Sequence, residues 1–179
     1  HLNDIQPVLT DGQYWKRGDV FLSIRNQSMV ILYRPSTNKI IWQGTGYTAA
    51  QHDIDILDEN RISIFNNNAI HSFDGEKVDG NSEVVIYDFE TDTYSKYLDL
   101  SLKQYDAKAK TGGQNQILDN GDLYFRDSHK LLYFDKDALL RWQYVNRADN
   151  GKVYLTAWSR ILYKSEDIKK INKILETEN

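Results

Sequence analysis

His1, Arg25 and His52 are the side chains of this sequence whose chemistry could combine in group transfer. They fall in the triplets His1-Leu2-Asn3, Ser23-Ile24-Arg25 and Gln51-His52-Asp53, each at or beside the end of an expected inner strand. A neutral imidazole can attack an electrophile or take a proton, and a guanidinium can hold an oxyanion through two parallel hydrogen bonds. Brought to one mouth, the three would form an anion site with nucleophilic and acid–base capacity. Amides form a second group, with Gln51 beside His52, Asn67 within Asn66-Asn67-Asn68, and Gln114 within Gln114-Asn115. Fixed amide donors at such a mouth could orient a sulfate, phosphate or hydroxyl.

Each residue also has a structural reading. His1 can be a frayed terminus, Arg25 a surface cation and His52 a hydrogen-bonded turn residue, while asparagine after a strand is a common turn former. Trp42, Trp142 and Trp158 read as packing residues between sheets. His71 and His129 have no convincing partners. No metal is expected, because His1, His52, Asp53 and Asp55 form no compact zinc motif and no calcium-loop pattern surrounds them. Phosphate loops, dinucleotide fingerprints and a serine-hydrolase elbow are likewise missing from the sequence.

The elements that must position these residues read as short strands. Ile54 and Ile56, then Ile62 and Ile64, alternate with polar residues on either side of the turn Asp58-Glu59-Asn60, which is the pattern of a hairpin. Strand candidates recur at 20–25, 29–33 and 40–43, at 69–73, 83–88 and 94–98, and at 131–135 and 139–144, the last two continuing a third pass of the pattern that begins over 111–126. Shorter runs at 152–157 and 160–163 suggest two more. Residues 74–82 read as a surface loop. The repeated order of strand, tyrosine-bearing strand, polar turn and aromatic strand predicts an all-β fold, a β-propeller of antiparallel meander blades, with a twisted sandwich as the alternative. About four blades, some incomplete, are expected over residues 1–163. Ser165-Glu166-Asp167, followed by Ile168, Ile171, Ile174 and Leu175, predicts a short C-terminal helix within a cap at 164–179.

Composition bounds the partners. The chain has 179 residues, 40% hydrophobic, with a formal net charge of -4. Scattered basic residues in a mildly acidic chain make nucleic acid a poor partner. No apolar run is long enough to cross a bilayer, so no membrane-spanning segment is expected. With Cys 0, disulfides and thiolate chemistry are excluded.

Several stretches together resemble the arylsulfotransferase family of bacterial propeller proteins. They are His1-Leu2-Asn3-Asp4-Ile5, Gly18-Asp19-Val20-Phe21-Leu22-Ser23-Ile24-Arg25, Lys39-Ile40-Ile41-Trp42, Gln51-His52-Asp53-Ile54-Asp55-Ile56-Leu57, and the run from Gly112 to Asp122. The resemblance implies a six-bladed propeller that transfers a sulfuryl group from a phenolic sulfate ester to a phenol. It implies a ping-pong route through a sulfated histidine, with no nucleotide sulfate donor and no cofactor. His52 resembles the nucleophile. His1 and Asn3 resemble the pair that contacts the sulfuryl group or leaving phenol, and Arg25 the cation on the sulfate oxygens. A further family histidine would precede His1, which implies a C-terminal portion of a longer protein completed by N-terminal blades. The spacing from Arg25 to His52 is shorter than in the family and implies a remodelled pocket. A small aryl sulfate or other anion is the implied ligand, and the implied location is periplasmic or otherwise extracytoplasmic. The other reading is a non-catalytic propeller that binds a small anion, glycan or protein at the same mouth.

Overall fold

Antiparallel strands dominate the computed structural model, which describes residues 1–177. Glu178 and Asn179, the end of the expected cap, lie outside the described residues. Four strands, β1 (Leu2–Pro7), β2 (Val20–Ile24), β3 (Met29–Arg34) and β4 (Lys39–Thr45), form the first sheet in chain order. The second contains β5 (His52–Ile56) and β6 (Arg61–Asn66). A small inserted hairpin follows, β7 (Ala69–Ser72) with β8 (Gly75–Val78), before β9 (Glu83–Asp88) and β10 (Thr93–Tyr97) complete that sheet. A short helix, α1 (Asp99–Gln104), leads to the third sheet, β11 (Gln114–Ile117), β12 (Leu123–Arg126), β13 (Lys130–Phe134) and β14 (Leu140–Val145). Helix α2 (Ser165–Thr177) ends the described chain.

These sheets are propeller blades. Their first strands, β1, β5 and β11, lie side by side, with β5 contacting both of the others. Two apolar cores fill the wedges between blades. Trp15, Phe21, Leu32, Ile54, Ile62 and Tyr87 close the first, with Trp42 stacked on Tyr87 at a centroid distance of 4.7 Å. Phe65, Val84, Leu102, Leu123, Phe125 and Phe134 close the second, with Phe65 stacked on Phe125 at 4.8 Å. Each fully buried large side chain contributes about 1.5–3 kcal/mol of transfer free energy. Hairpins too polar to stand alone are therefore stable against each other.

The expected hairpin at 52–66 forms as read, with Ile56 opposite Ile62 and Ile54 opposite Ile64. Its second strand differs in burial. Ser63 is as buried as Ile62 and Ile64, because β6 lies inside the sheet between β5 and β9 and both of its faces meet neighbouring blades. The expected strand at 69–73 does not join a blade. It folds back on Gly75–Val78, inside the stretch read as a loop. Residues 152–163 form no regular strand. That segment runs as an irregular strap held by an isolated bridge between Arg147 and Val153 and by side chains of the third blade. The alternation in Val153, Leu155 and Ile161 met no partner strand with which to build a ladder. Helix α1 was not foreseen, since six residues are too short for a periodicity signal.

Candidate functional site

Two β-bulges build the site. The register of β1 on β2 slips between Leu2 and Asp4, and that of β5 on β6 slips between His52 and Ile54. Asn3 and Asp53 are the extra residues. Asp53 takes φ 39, a left-handed conformation that aspartate tolerates better than most non-glycine residues. The bulges free side chains to bond across blades. Asp4 Oδ2 accepts the Ile54 N–H at 2.8 Å, and Asp53 Oδ2 accepts the Asn115 N–H at 2.8 Å. One aspartate per junction thus ties each inner strand to the next.

His52 sits at the head of β5. Its Nδ1 lies 2.6 Å from Asn67 Oδ1, and its Nε2 accepts the Gly112 N–H at 3.1 Å. Asn67 is fully buried and donates from Nδ2 to the carbonyls of Ala109 and Gly112, both at 2.8 Å. Those two bonds fix the amide so that Oδ1 must accept, which places the imidazole proton on Nδ1 and leaves the Nε2 lone pair facing Gly112. Burial is the main cause that holds the His52 pKa below its ordinary value. The Asn67 bond opposes that shift, and the Arg25 and Arg126 charges add to it. A neutral imidazole with one tautomer is the result.

A cavity of about 100 Å³ opens beside this ring. His52, Asp53, Asn3, Asp4, Gly112, Gly113, Arg126 and Trp158 line it. Asp53 is pushed up to about 7, first by burial and next by the Asp55 charge, while its bond to Asn115 and the Arg160 charge pull the other way. Burial likewise raises Asp4. Arg160 bridges Asp55 at 3.0 Å and Asp53 at 3.4 Å.

The sequence model of the family described as Arylsulfotransferase (ASST) matches residues 1–147. The chain belongs to the arylsulfotransferase (ASST) family. Membership supports an arylsulfotransferase-like function in general terms. No curated protein matches the chain. Among solved structures, the chain is similar to one titled "Crystal structure of WD40 beta propeller domain of Doa1", with a TM-score of 0.52 and 12% identity. The match covers 86% of this chain and 47% of that one, so this ASST-family chain spans about half the length of its structural neighbour. At that identity the likeness speaks for the propeller fold alone.

Within this ASST-family chain the sequence-derived residues divide. His52, Asn67 and Asn3 meet at or beside the cavity, with Asn3 Nδ2 donating to the Gln51 carbonyl at 2.7 Å. Gln51 is fully buried, and its side chain bonds Ser23 Oγ, the Met29 carbonyl and Thr48 Oγ1. Those contacts lock the turn into β5. Gln114 Oε1 accepts from Arg126 Nε and from the Ser159 N–H. Arg25 follows β2, the second strand of its blade rather than an inner one, and its guanidinium meets Glu76 and the Lys110 carbonyl. The His1 side chain is exposed, and its carbonyl accepts the Arg25 N–H at 2.9 Å. Neither His1 nor Arg25 lines the cavity.

Arg126 and Trp158 were missed as site residues, and Gly112 was read only within the run that carries the family resemblance. A signal for Arg126 existed. It pairs with Gln114 where the other two blades pair Ile24 with Leu2 and Phe65 with His52, so a cation occupies an apolar position of the repeat. Trp158 gave none, because the strap that carries it is irregular. Larger hollows of about 440 and 510 Å³ lie elsewhere. In the first, Arg61 is already paired with Asp58. The second lies around Lys110 and His129, away from His52 and Asn67. Among the described residues, no group of three His, Cys, Asp or Glu could hold a metal ion, and no helix is long and apolar enough to cross a membrane.

Proposed function

We propose that this chain transfers a sulfuryl group from a phenolic sulfate ester to a phenol through a sulfohistidine at His52. The observation that carries the reading is the neutral imidazole of fixed tautomer beside a cavity that also holds a guanidinium. In the first half-reaction the Nε2 lone pair forms the N–S bond while the S–O(aryl) bond breaks and the phenolate leaves with that electron pair. The Nδ1 proton stays on the ring, where Asn67 Oδ1 supports the imidazolium character that develops. The second half reverses it. The departed phenolate takes a proton from solvent, the acceptor phenol releases one to solvent as its oxygen bonds to sulfur, and the N–S electron pair returns to Nε2.

For attack, the bond from the Gly112 N–H to Nε2 must open, and the freed N–H can then turn to a sulfuryl oxygen. Asn3, on the cavity wall, suits contact with the sulfuryl group or leaving phenol, with His1 as its family partner. Arg25 acts in this conformation through its field, since its hydrogen bonds go to Glu76 and Lys110. The same reading includes further blades of the protein N-terminal to His1 and an extracytoplasmic, specifically periplasmic, location.

One observation favours the second reading, a propeller that binds an anion without transfer: the Nε2 lone pair is already engaged by Gly112. Incubating the full-length protein with an aryl sulfate and a phenol separates the two. Transfer that disappears in His52→Ala, together with a sulfuryl adduct on His52 after exposure to donor alone, is the expected result. Undiminished transfer by His52→Ala would end the nucleophile assignment, and binding without transfer in the wild type would leave the second reading.

A further inference from the structure

Arg126 is a buried cation, only 7% exposed, and among the described residues it makes no ion pair. Its Nε donates to Gln114 Oε1 at 2.9 Å and its Nη1 to the Thr156 carbonyl at 2.9 Å. Both partners are neutral. The nearest carboxylates are engaged elsewhere: Asp53 meets Asn115 and Arg160, and Asp127 accepts the N–H groups of His129 and Lys130. Nη2 approaches Gly112, where an added Cβ would stand 3.9 Å from it. A desolvated guanidinium fixed by two bonds to neutral groups, which Asp53 and Asp127 reach only through their charge, is costly to bury unless an anion completes it.

Trp158 supplies the rest of a ligand site. Trp158 lines the same cavity yet is 71% exposed, with the Arg160 guanidinium 5.2 Å from its ring centroid. The cavity is of a size to take a tetrahedral oxyanion but not an aromatic ring as well. A ring attached to that oxyanion must lie outside, against the exposed indole.

We propose that Arg126 and Trp158 form the donor subsite, in which Arg126 Nη2 holds the oxygens of an aryl sulfate monoester facing His52 and Trp158 supports its ring. This assignment rests on the sulfuryl-transfer reading for its catalytic meaning, but the anion site stands on its own geometry. Arg126 takes the place on the sulfate oxygens that the family resemblance gave to Arg25, and the ring platform comes from the strap beyond the family match.

The test uses the full-length protein in the His52→Ala background, so that binding is read without turnover. Phenyl sulfate and inorganic sulfate are titrated by calorimetry. Arg126→Gln is expected to weaken both by about ten- to hundredfold, the loss of a charge-assisted hydrogen bond at a buried site. Arg126→Lys, which keeps the charge without the fork, is expected to recover part of that loss. Trp158→Ala is expected to weaken phenyl sulfate about three- to tenfold and to leave inorganic sulfate unchanged, with Trp158→Phe close to the parent. Thermal melting identifies any variant that has simply unfolded, and for those the Lys and Phe variants carry the decision. Equal anion binding by parent and folded Arg126→Gln overturns the site, as does a parent that binds neither anion. Binding that depends on Arg126 in a protein whose wild type shows no transfer supports the subsite and removes the sulfuryl-transfer reading instead.

Discussion

Asn67 holds His52 from below: its Oδ1 takes the imidazole Nδ1 proton over 2.6 Å, while its Nδ2 closes on the Ala109 and Gly112 carbonyls. The same Gly112 sends its N–H to the other side of the ring. One asparagine therefore sets the tautomer of the histidine and the position of the loop that faces it. Asn67→Ala removes the ring's proton acceptor and strands two carbonyls, and should cost roughly 1–3 kcal/mol in stability and about tenfold or more in kcat for sulfuryl transfer. Denaturant titration and steady-state kinetics measure the two effects. A fully active, fully stable Asn67→Ala would show that the hydrogen bond positions nothing.

The pH profile should follow His52. Because burial depresses its pKa, the neutral imidazole persists into more acidic solution than an exposed histidine allows. The acid limb of kcat/KM is expected below the ordinary histidine value of about 6.5. An acid limb above that value, carried by His52, would contradict the buried neutral ring.

Asp53 gives stability a second pH dependence of opposite sign. Its folded pKa, about 7, lies above its unfolded value, so the unfolded state ionises first. The contribution is fully present below the unfolded pKa, near 3.8, and is lost as pH rises through about 7. His52, depressed in the fold, contributes stability that is present above its unfolded pKa, near 6.5, and is lost as pH falls. Asp53→Asn should remove the decline between pH 4 and 7 and leave the His52 limb. Melting temperatures across that range decide it; a decline that survives the substitution must belong to another group.

Gly113 cannot carry a side chain. It has φ 98, and an added Cβ would sit 2.2 Å from the Phe65 ring, inside the core between the second and third blades. Gly113→Ala combines left-handed strain with overpacking, each about 1–3 kcal/mol. Gly121, with φ 87 and its nearest neighbour at 3.1 Å, is a milder control. The expected order of melting points is wild type, Gly121→Ala, then Gly113→Ala, with transfer activity falling most in the last because Gly112 moves with it.

Phe65 lies fully buried against Phe125, two residues before Asn67. Phe65→Ala should destabilise by about 3–5 kcal/mol through cavity formation. If a chemical denaturation midpoint barely shifts, the second wedge is not the core that holds the third blade.

Strand identity and order could be read directly from the chain. Ile54, Ile56, Ile62 and Ile64 announce their hairpin through period-two burial, and the repeat of strand, tyrosine strand and tryptophan strand announces blades. Such local patterns survive because each strand must bury its own alternate residues whatever the rest of the chain does. His52 and Asn67 were legible as polar residues at strand ends. The failures share one cause. Residues 69–78 and 152–163 carry strand-like composition, but a strand exists only where a partner edge is free, and partner availability is not local.

The site was decided at the same level. Sequence determined that an imidazole, amides and arginines would stand near strand ends, and that no cysteine could act. It could not determine which arginine would face the imidazole, since Arg25 and Arg126 are separated from His52 by opposite stretches of chain. Tertiary structure turned Arg25 toward Glu76 and left Arg126 beside the cavity with no direct ion pair among the described residues. It brought Trp158 back across the third blade to the same opening. Chemistry is written residue by residue, but proximity depends on how three blades wedge together, and that wedge is fixed only when Phe65, Phe125, Trp42 and Tyr87 have all found their neighbours.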